Sequence, residues 1–282
     1  MIANNFILTG LLGWPVAHSK SPSMHNAAFA AAGLPGYYAL FPTPPHRLNE
    51  AVAGLRALGI RGANVTVPHK QAVVPFLDAL TPEAQAIGAV NTIIIKEEQL
   101  VGTNTDAWGF WRDLEDLGIT DALSTEENAL VLGAGGSARA IAYALATHGI
   151  STHILARRLS QAQQLITALK PHLSHPHRLQ AHSWTDLPAW ASAARLIVNC
   201  TPVGMAPHIN HSPWPHTLPL HPGQMVYDLV YNPPLTSLMA QAQNAGALAW
   251  NGLGMLVYQG ARSWELWTGR AAPIAAMRAA IT

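Results

Sequence analysis

The stretch NALVLGAGGSARAIAYALATHG at residues 128–149 decides the fold of this chain. A short apolar run leads into a glycine turn, and an alanine-rich helical pattern follows at once, which is the context that a dinucleotide-binding fingerprint requires. Glycines let the backbone approach a pyrophosphate at the helix N-terminus. A plain glycine turn is the alternative. The fingerprint predicts dinucleotide binding by Gly133, Ala134, Gly135, Gly136, Ser137 and Ala138.

Alternating strand and helix patterns extend from this turn in both directions. Strands are predicted at residues 6–13, 62–68, 89–95, 99–105, 129–132, 152–157, 195–200 and 225–230. Helices are predicted at residues 22–32, 48–58, 69–80, 107–117, 137–147 and 159–170. Proline-broken segments at residues 171–184 and 202–223 are interpreted as loops. This alternation is typical of mostly parallel α/β sheets and indicates two α/β units.

The composition excludes several classes of protein. The 282 residues carry a formal charge of +1, so the chain lacks the basic excess of most nucleic-acid-binding and membrane-surface proteins. Charged residues are 11% of the chain and apolar residues 49%, which argues against disorder. Residues 196–227 and 229–261 carry no charge, but prolines or polar residues interrupt both before the ~20 apolar residues of a membrane span. With no signal-peptide pattern and one cysteine, Cys200, a cytoplasmic protein is expected.

The end of the strand after the glycine turn favours NADP as the dinucleotide. An acidic residue there would bind a ribose 2′-hydroxyl, whereas an arginine accommodates a 2′-phosphate. This strand ends in Ala156, Arg157 and Arg158, and residues 128–185 contain five basic residues and no acidic one. A solvated residue at a helix start is the alternative for one of the two arginines. We therefore expect Arg157 above all to bind the phosphate.

Several polar segments together carry a family resemblance. They are GWPVAHSKSPSMHN (13–26), NVTVPHK (64–70), AVNT (89–92), GTNTD (102–106), GAGGSAR (133–139), YDLVYNP (227–233) and NGLGMLVYQG (251–260). In this order, over essentially the whole chain, they strongly resemble shikimate dehydrogenases. The resemblance implies NADPH-dependent, reversible reduction of 3-dehydroshikimate to shikimate in chorismate biosynthesis. It also implies a substrate domain (1–106), a Rossmann-like NADP domain (107–251) and C-terminal helices (252–282) that return to the substrate domain.

The resemblance assigns substrate contacts to seven residues. Ser19 and Ser21 match a hydroxyl pair that binds the substrate carboxylate, and hydroxyl donors before a helix suit an anion. A helix cap is the alternative for Ser21. Thr66, Asn91 and Gln259 match side chains that bind the substrate hydroxyls, Asn64 is expected to line the same pocket, and Tyr231 matches a tyrosine on the substrate side. A turn residue is the alternative for an asparagine at a strand end, and a core or rim residue for the tyrosine.

Lys70 and Asp106 match the family's catalytic pair. Hydride transfer to a ketone builds an alkoxide, which needs a positioned proton donor, and an ammonium held by a carboxylate supplies one. A surface ion pair is the alternative for an isolated lysine and aspartate. Their places within motifs that recur as a set favour catalysis.

The resemblance also assigns cofactor contacts and marks departures from the family. Contacts near the nicotinamide or along the cofactor are implied for Thr201, Leu229, Gly252 and Met255. The usual Asn-Arg-Thr is Ala156-Arg157-Arg158 here, His69 replaces a common Phe, and Pro82 lies where an acidic residue is frequent, with Glu83 beside it.

Histidines at positions 172, 175, 177 and 182 invite a zinc interpretation, but they lie in a proline-broken segment without Cys or carboxylate partners, so a solvated loop is expected. Two other functions remain open. One is an NAD-dependent quinate/shikimate dehydrogenase, and the other is a non-enzymatic NADP-sensing regulator, which would have a broken catalytic pair. The partner is expected to be a small molecule, and the protein a monomer or homodimer.

Overall fold

The computed structural model describes residues 6–282, which fold into two compact units. The first unit contains residues up to 109 together with residues 256–282, and the second contains residues 110–255. The chain passes from one unit to the other within two helices, Asp106–Asp116 and Leu253–Thr268. The helices are α1 (Ser21–Ala31), α2 (Leu48–Ala57), α3 (His69–Ala72), α4 (Pro82–Ile87), α5 (Asp106–Asp116), α6 (Gly136–Thr147), α7 (Leu159–Leu169), α8 (Leu187–Ala191), α9 (Ser237–Asn244), α10 (Leu253–Thr268) and α11 (Ile274–Ala279).

The first unit is built on a mixed six-stranded sheet in the order β2-β1-β3-β5-β6-β4. Its strands are β1 (Ile7–Gly13), β2 (Gly36–Pro42), β3 (Gly62–Val65), β4 (Ala79–Leu80), β5 (Thr92–Lys96) and β6 (Gln99–Thr103). Strands β5 and β6 form the predicted hairpin, whose two turn residues have positive φ, at Glu97 (51°) and Glu98 (65°), as tight hairpins require.

Antiparallel pairing of β5 with both β3 and β6 brings three chain segments to one edge of this sheet. The carboxyl ends of β3 and β6 point the same way as the amino end of β5. Strand β1 runs parallel to β3, so the loop after Gly13 emerges at the same edge. The polar motifs that flank these strands therefore lie at the same end of the first sheet.

The second unit is built on a wholly parallel six-stranded sheet in the order β12-β11-β10-β7-β8-β9. Its strands are β7 (Asn128–Leu132), β8 (Ser151–Ala156), β9 (Leu179–Ser183), β10 (Ala194–Asn199), β11 (Met225–Asp228) and β12 (Leu248–Asn251). Strand order reverses between β7 and β10, which is the topological switch point where doubly wound sheets bind dinucleotides. The central strands are buried: Leu130, Ile197 and Val226 are at most 1% exposed.

Two predictions of local structure are corrected. The predicted helix over residues 69–80 ends at Ala72, because Pro75 lacks an amide donor, and Ala79–Leu80 instead pairs with β6 as strand β4. The predicted loop over residues 171–184 contains strand β9, which lies at the edge of the sheet beyond both of the segment's prolines. The prediction of a mostly parallel sheet holds for the first sheet as described over residues 6–282, where five strands share one direction and β5 runs against them.

Candidate active site

An ion pair between Lys70 and Asp106 lies at the edge of the first sheet where β3 and β6 end. Lys70 is in the first turn of α3, and Asp106 is the first residue of α5. Lys70 Nζ donates to Asp106 Oδ2 at 2.6 Å, and the two side chains are 12% and 5% exposed. Surface ion pairs are screened and weak, whereas this pair is withdrawn from solvent and held in one geometry.

Asn91, directly before β5, fixes the second oxygen of that carboxylate. The backbone N–H of Thr105 donates to Asn91 Oδ1 at 2.8 Å, which settles the orientation of the side-chain amide. Asn91 Nδ2 therefore faces Asp106 Oδ1, at 2.8 Å, and Gln259 Oε1, at 3.2 Å. Asp106 thus has a separate donor on each oxygen, and its own N–H donates to Asn104 Oδ1 at 3.0 Å.

Gln259 reaches this group from α10 because α5 and α10 approach closely. A Cβ on Gly109 would lie 2.6 Å from the backbone nitrogen of Gln259, so the contact needs a residue without a side chain. The Gln259 amide also donates to Leu256 O at 2.8 Å. Asn91, Asp106 and Gln259 form one hydrogen-bonded group with Lys70.

Asn64, on β3, belongs to the same hydrogen-bonded group, since its Nδ2 donates to Asn91 O at 3.2 Å. Its Oδ1 accepts from Tyr38 Oη at 2.8 Å, and its Nδ2 faces Thr92 Oγ1 at 3.1 Å and Ser263 Oγ at 3.0 Å. The side-chain amide of Asn64 is therefore engaged by the protein on both ends. Thr66, two residues on, is half-buried and has no such contact among the described residues.

The serine loop between β1 and α1 presents Ser19 and Ser21. The Ser21 N–H donates to Ser19 Oγ at 3.2 Å, and Ser21 is the first residue of α1. The cap position belongs to Lys20, and no side chain caps this helix, so the structure does not support the cap alternative for Ser21. Lys20 Nζ donates to Ile281 O at 2.5 Å, which ties the loop to the residues after α11.

His69 is the neighbour of Lys70 in the chain, and Glu83 lies close enough to Asp106 for their charges to interact. His69, where the family often has Phe, is buried, and its Nε2 lies 2.7 Å from Thr43 O, so it seats the start of α3. Burial raises the pKa of Glu83, the nearby Arg262 lowers it, and the Asp106 carboxylate raises it further.

In the second unit, the glycine turn between β7 and α6 has the form that a pyrophosphate needs. Gly133 has φ of 109°, which favours glycine, and its N–H donates to Leu155 O at 2.8 Å. No heavy atom lies within 4 Å of a Cβ built on Gly135, so the backbone there faces open space. Ala138 is fully buried where α6 packs on the sheet. These residues fit a dinucleotide, whose phosphates would be bound by the free N–H groups at the start of the twelve-residue α6.

Arg157 and Arg158 follow β8 directly. Ala156 is buried, whereas both arginines are exposed, and within residues 6–282 neither guanidinium has a hydrogen bond or an ion pair. Arg178 differs, since its guanidinium donates to Gly149 O at 2.6 Å and to Thr125 O. One of the five basic residues of this region is thus used within the fold.

Sequence reasoning missed a buried polar group at the ends of β10 and β11. Asp228 accepts from Asn199 Nδ2 at 2.8 Å, from Thr236 Oγ1 at 2.7 Å and from the Val230 N–H at 3.0 Å. Burial raises the pKa of Asp228 to about 6, against these three hydrogen bonds. Asn199 Oδ1 in turn accepts from the Thr201 hydroxyl at 2.7 Å, so the group holds the predicted cofactor loop. An acidic residue at a strand end was the available signal.

The remaining predicted residues of the second unit lie after β11 and β12. A Cβ on Gly252 would lie 2.5 Å from Leu229 O, so these two backbones touch. Met255 is buried near the start of α10. Tyr231 is half-buried, and burial raises the pKa of its hydroxyl.

The histidines at positions 172, 175, 177 and 182 do not form one metal-binding cluster. His182 lies on β9 rather than in a loop, and its Nε2 is 3.0 Å from Nδ1 of His153 on β8. Both rings pack on Trp190, and burial lowers the pKa of His153 to about 4. No group of three His, Cys, Asp or Glu side chains suited to a metal occurs within the described part of the chain. Over residues 6–282, no helix has the length and apolar character to cross a membrane.

Comparison with known proteins identifies relatives over the whole chain. Residues 11–93 match the family model of the shikimate dehydrogenase substrate binding domain, and residues 252–282 match the shikimate 5′-dehydrogenase C-terminal domain. A shikimate dehydrogenase (NADP(+)) of Moorella thermoacetica is 48% identical over 271 residues, which are 96% of this chain and 90% of that protein.

Two solved structures have the same fold. The crystal structure of shikimate 5-dehydrogenase from Thermus thermophilus, in complex with NADP(H) and shikimate, is 37% identical, with a TM-score of 0.85 over 98% of each chain. Quinate dehydrogenase from Corynebacterium glutamicum, in complex with NAD, is 30% identical, with a TM-score of 0.86 over 98% of this chain and 99% of that one.

Proposed function

The chain belongs to the shikimate dehydrogenase family, and from this premise we propose that it catalyses the NADPH-dependent, reversible reduction of 3-dehydroshikimate to shikimate. The relatives named above include a shikimate dehydrogenase (NADP(+)) and a quinate dehydrogenase whose structure contains NAD. The observation that carries the proposal is the buried contact of Lys70 with Asp106, held by Asn91. A regulator that had lost catalysis would not need this pair.

NADPH supplies the hydride that reduces the ketone carbon. The charge that develops on the ketone oxygen needs a proton, and Lys70 Nζ is the donor that the first unit provides. Asp106 stabilises the ammonium form and aims it, since its carboxylate cannot turn away from Asn91. In the reverse direction, the neutral amine of Lys70 takes the proton from the hydroxyl of shikimate as the hydride leaves the carbon for NADP⁺, and the same two contacts orient it.

The other polar residues of the first unit bind and orient the substrate. Ser19 and Ser21 present hydroxyls beside the amide groups at the start of α1, which suits a carboxylate. Thr66, Asn91 and Gln259 bind ring hydroxyls, and the substrate contact assigned to Tyr231 stays a prediction. Because both ends of the Asn64 amide are engaged by the protein, its part is to shape the pocket floor.

The second unit holds NADP. The N–H groups of residues 133–138 bind the pyrophosphate, Arg157 and Arg158 bind the 2′-phosphate, and Ala156 leaves room for the adenosine. Thr201, Leu229, Gly252 and Met255 line the path towards the nicotinamide. A substrate domain at 1–106 with helices from 252–282, an NADP domain at 107–251, a cytoplasmic location and a monomeric or homodimeric state remain predictions.

One steady-state assay tests the activity. Purified protein is given shikimate or quinate, each with NADP⁺ or NAD⁺, and reduced nicotinamide is followed by absorbance. The expected result is the highest kcat/KM for shikimate with NADP⁺. A preference for quinate with NAD⁺ would favour the quinate dehydrogenase alternative, and binding of NADPH without turnover of either substrate would favour the regulator.

A further inference from the structure

Three hydroxyl groups form a fully enclosed triangle beneath the substrate residues of the first unit. Thr92 opens β5, Thr105 precedes α5, and Ser263 lies on α10, and each is at most 2% exposed. Ser263 Oγ is 2.8 Å from Thr92 Oγ1 and 3.2 Å from Thr105 Oγ1, and the two threonine oxygens are 3.3 Å apart. The triangle joins segments that are far apart in the chain.

Two side-chain amides flank this triangle. Asn64 Nδ2 donates to Ser263 Oγ at 3.0 Å and Thr92 Oγ1 at 3.1 Å. Asn91 contacts the other side, with its Oδ1 accepting from Thr92 Oγ1 at 3.0 Å and its Nδ2 2.9 Å from Thr105 Oγ1. The hydroxyl cluster therefore lies between Asn64 and the residue that orients Asp106.

The Ser263 hydroxyl contacts both of the other hydroxyl groups in the triangle and also Asn64. Each hydroxyl has one proton to donate. Ser263 Oγ accepts from Asn64 Nδ2, and its one proton lies within reach of Gln259 O at 3.0 Å, of Thr92 Oγ1 at 2.8 Å and of Thr105 Oγ1 at 3.2 Å. Removing its oxygen deprives Asn64 of an acceptor and both threonines of a partner, in a place that water does not reach. A buried group left without its partner is costly, so the neighbours must shift.

Ser263 also follows Gln259 by one helical turn, so the two lie on the same face of α10. Gln259 Oε1 accepts from Asn91. Ser263 contacts Thr92 and Thr105, and both of these threonines also contact Asn91. We propose that Ser263 is a positioning residue for the reaction: it seats α10 against the hydroxyl triangle and so holds Asn91 and Gln259 at the substrate. This inference rests on the proposed function, because it assigns these two amides to shikimate.

The test is the variant Ser263→Ala, assayed with shikimate and NADP⁺. The KM for shikimate is expected to rise roughly five- to thirtyfold. The Kd for NADP⁺, measured by calorimetry, is expected to stay within about twofold of wild type, because the cofactor residues belong to the other unit. Thr105→Val removes a second hydroxyl of the triangle at constant shape and keeps the backbone N–H on Asn91, so it carries the test if Ser263→Ala fails to fold.

Thr268→Ala is the matched control, since Thr268 lies on the same helix and donates to Trp264 O at 2.8 Å but is remote from the triangle. It is expected to leave the KM for shikimate unchanged. An unchanged KM in Ser263→Ala, or equal losses for shikimate and NADP⁺, would overturn the positioning role. Absence of shikimate turnover in wild type would instead overturn the proposed function, and the inference with it.

Discussion

The ammonium of Lys70 lies 2.6 Å from the carboxylate of Asp106 at a point where only 12% and 5% of the two side chains remain exposed. Neither residue could hold this geometry alone. The lysine is in a four-residue helix that His69 seats, and the aspartate is anchored by Asn91 and Asn104. The pair therefore holds its proton at a fixed point of the sheet edge.

Lys70→Ala is expected to lower kcat by about 10²- to 10⁴-fold, because it removes the group that donates the proton to the ketone oxygen. Shikimate binding, measured by calorimetry, is expected to be largely kept. Arg47→Ala, which breaks an exposed ion pair with Glu50 in the same unit, is the control and leaves kcat unchanged. A normal turnover number for Lys70→Ala would exclude the assigned role.

Gly135→Ala separates cofactor binding from folding. Its φ of −81° is open to alanine and nothing lies within 4 Å of the new Cβ, so the free energy of unfolding is expected to change by less than about 1 kcal/mol. A methyl group facing the pyrophosphate is expected to raise the Kd for NADP⁺ at least roughly tenfold. Gly54→Ala, also without neighbours, is the control for binding. Tight NADP⁺ binding by Gly135→Ala would place the pyrophosphate elsewhere.

Arg157→Ala is expected to weaken NADP⁺ binding by about ten- to a hundredfold, because it removes a charge-assisted contact to the 2′-phosphate. Arg158→Ala is expected to have a smaller effect in the same direction, and the double variant to approach the affinity for NAD⁺. Titration with NAD⁺ is the internal control, since it lacks the phosphate and its affinity is expected to stay constant. Equal losses for both nucleotides would show that the arginines do not read the phosphate.

The burial of His25 is expected to make the free energy of unfolding depend on pH. The ring is fully buried, stacks on Tyr38 at 4.3 Å and has no hydrogen bond at either nitrogen within residues 6–282. Burial lowers its pKa to about 3 from an ordinary value of 6.5. The unfolded chain thus takes up the proton first, so the stabilisation is present above pH 6.5 and is lost as the pH falls towards 3.

Urea unfolding at about pH 7 and about pH 4.5 measures this effect. Wild type is expected to lose about 2–3 kcal/mol more than His25→Phe between these two pH values. The raised pKa of Asp228 acts in the opposite sense, favouring the folded state as the pH falls through about 6, but it is common to both proteins and cancels in the comparison. Parallel losses in the two proteins would contradict the assignment to His25.

Local signals account for what was predictable. The turn from Gly133 to Ala138 could be located because its glycines, strand and helix are contiguous, and the hairpin of β5 and β6 has the same property. The serine loop and the motifs around Lys70 and Asp106 carry more polar residues than a strand end needs. The roles of these residues in the reaction stay predictions until variants are assayed.

Distant partners account for what was missed. Ser263 looks like any small residue of a helix, and its contacts with Thr92 and Thr105 span 171 and 158 positions of sequence. Strand β9 has no β-branched residue to mark it and forms because β8 offers a free edge, while β4 has only two residues. The basic character of Arg178 was visible, but not that its guanidinium would bond to two carbonyl groups.

The division of the chain has a consequence for its biosynthesis. Residues 256–282 complete the first unit, yet a ribosome makes them only after the whole of residues 110–255. Gln259, Ser263 and the Ile281 carbonyl that holds Lys20 are therefore the last parts of the unit to emerge. The nascent chain can finish its second unit first, and the predicted substrate residues remain unassembled until residues 256–282 have been made. A chain that stops before residue 256 is expected to keep the predicted NADP residues but to lack Gln259 and Ser263.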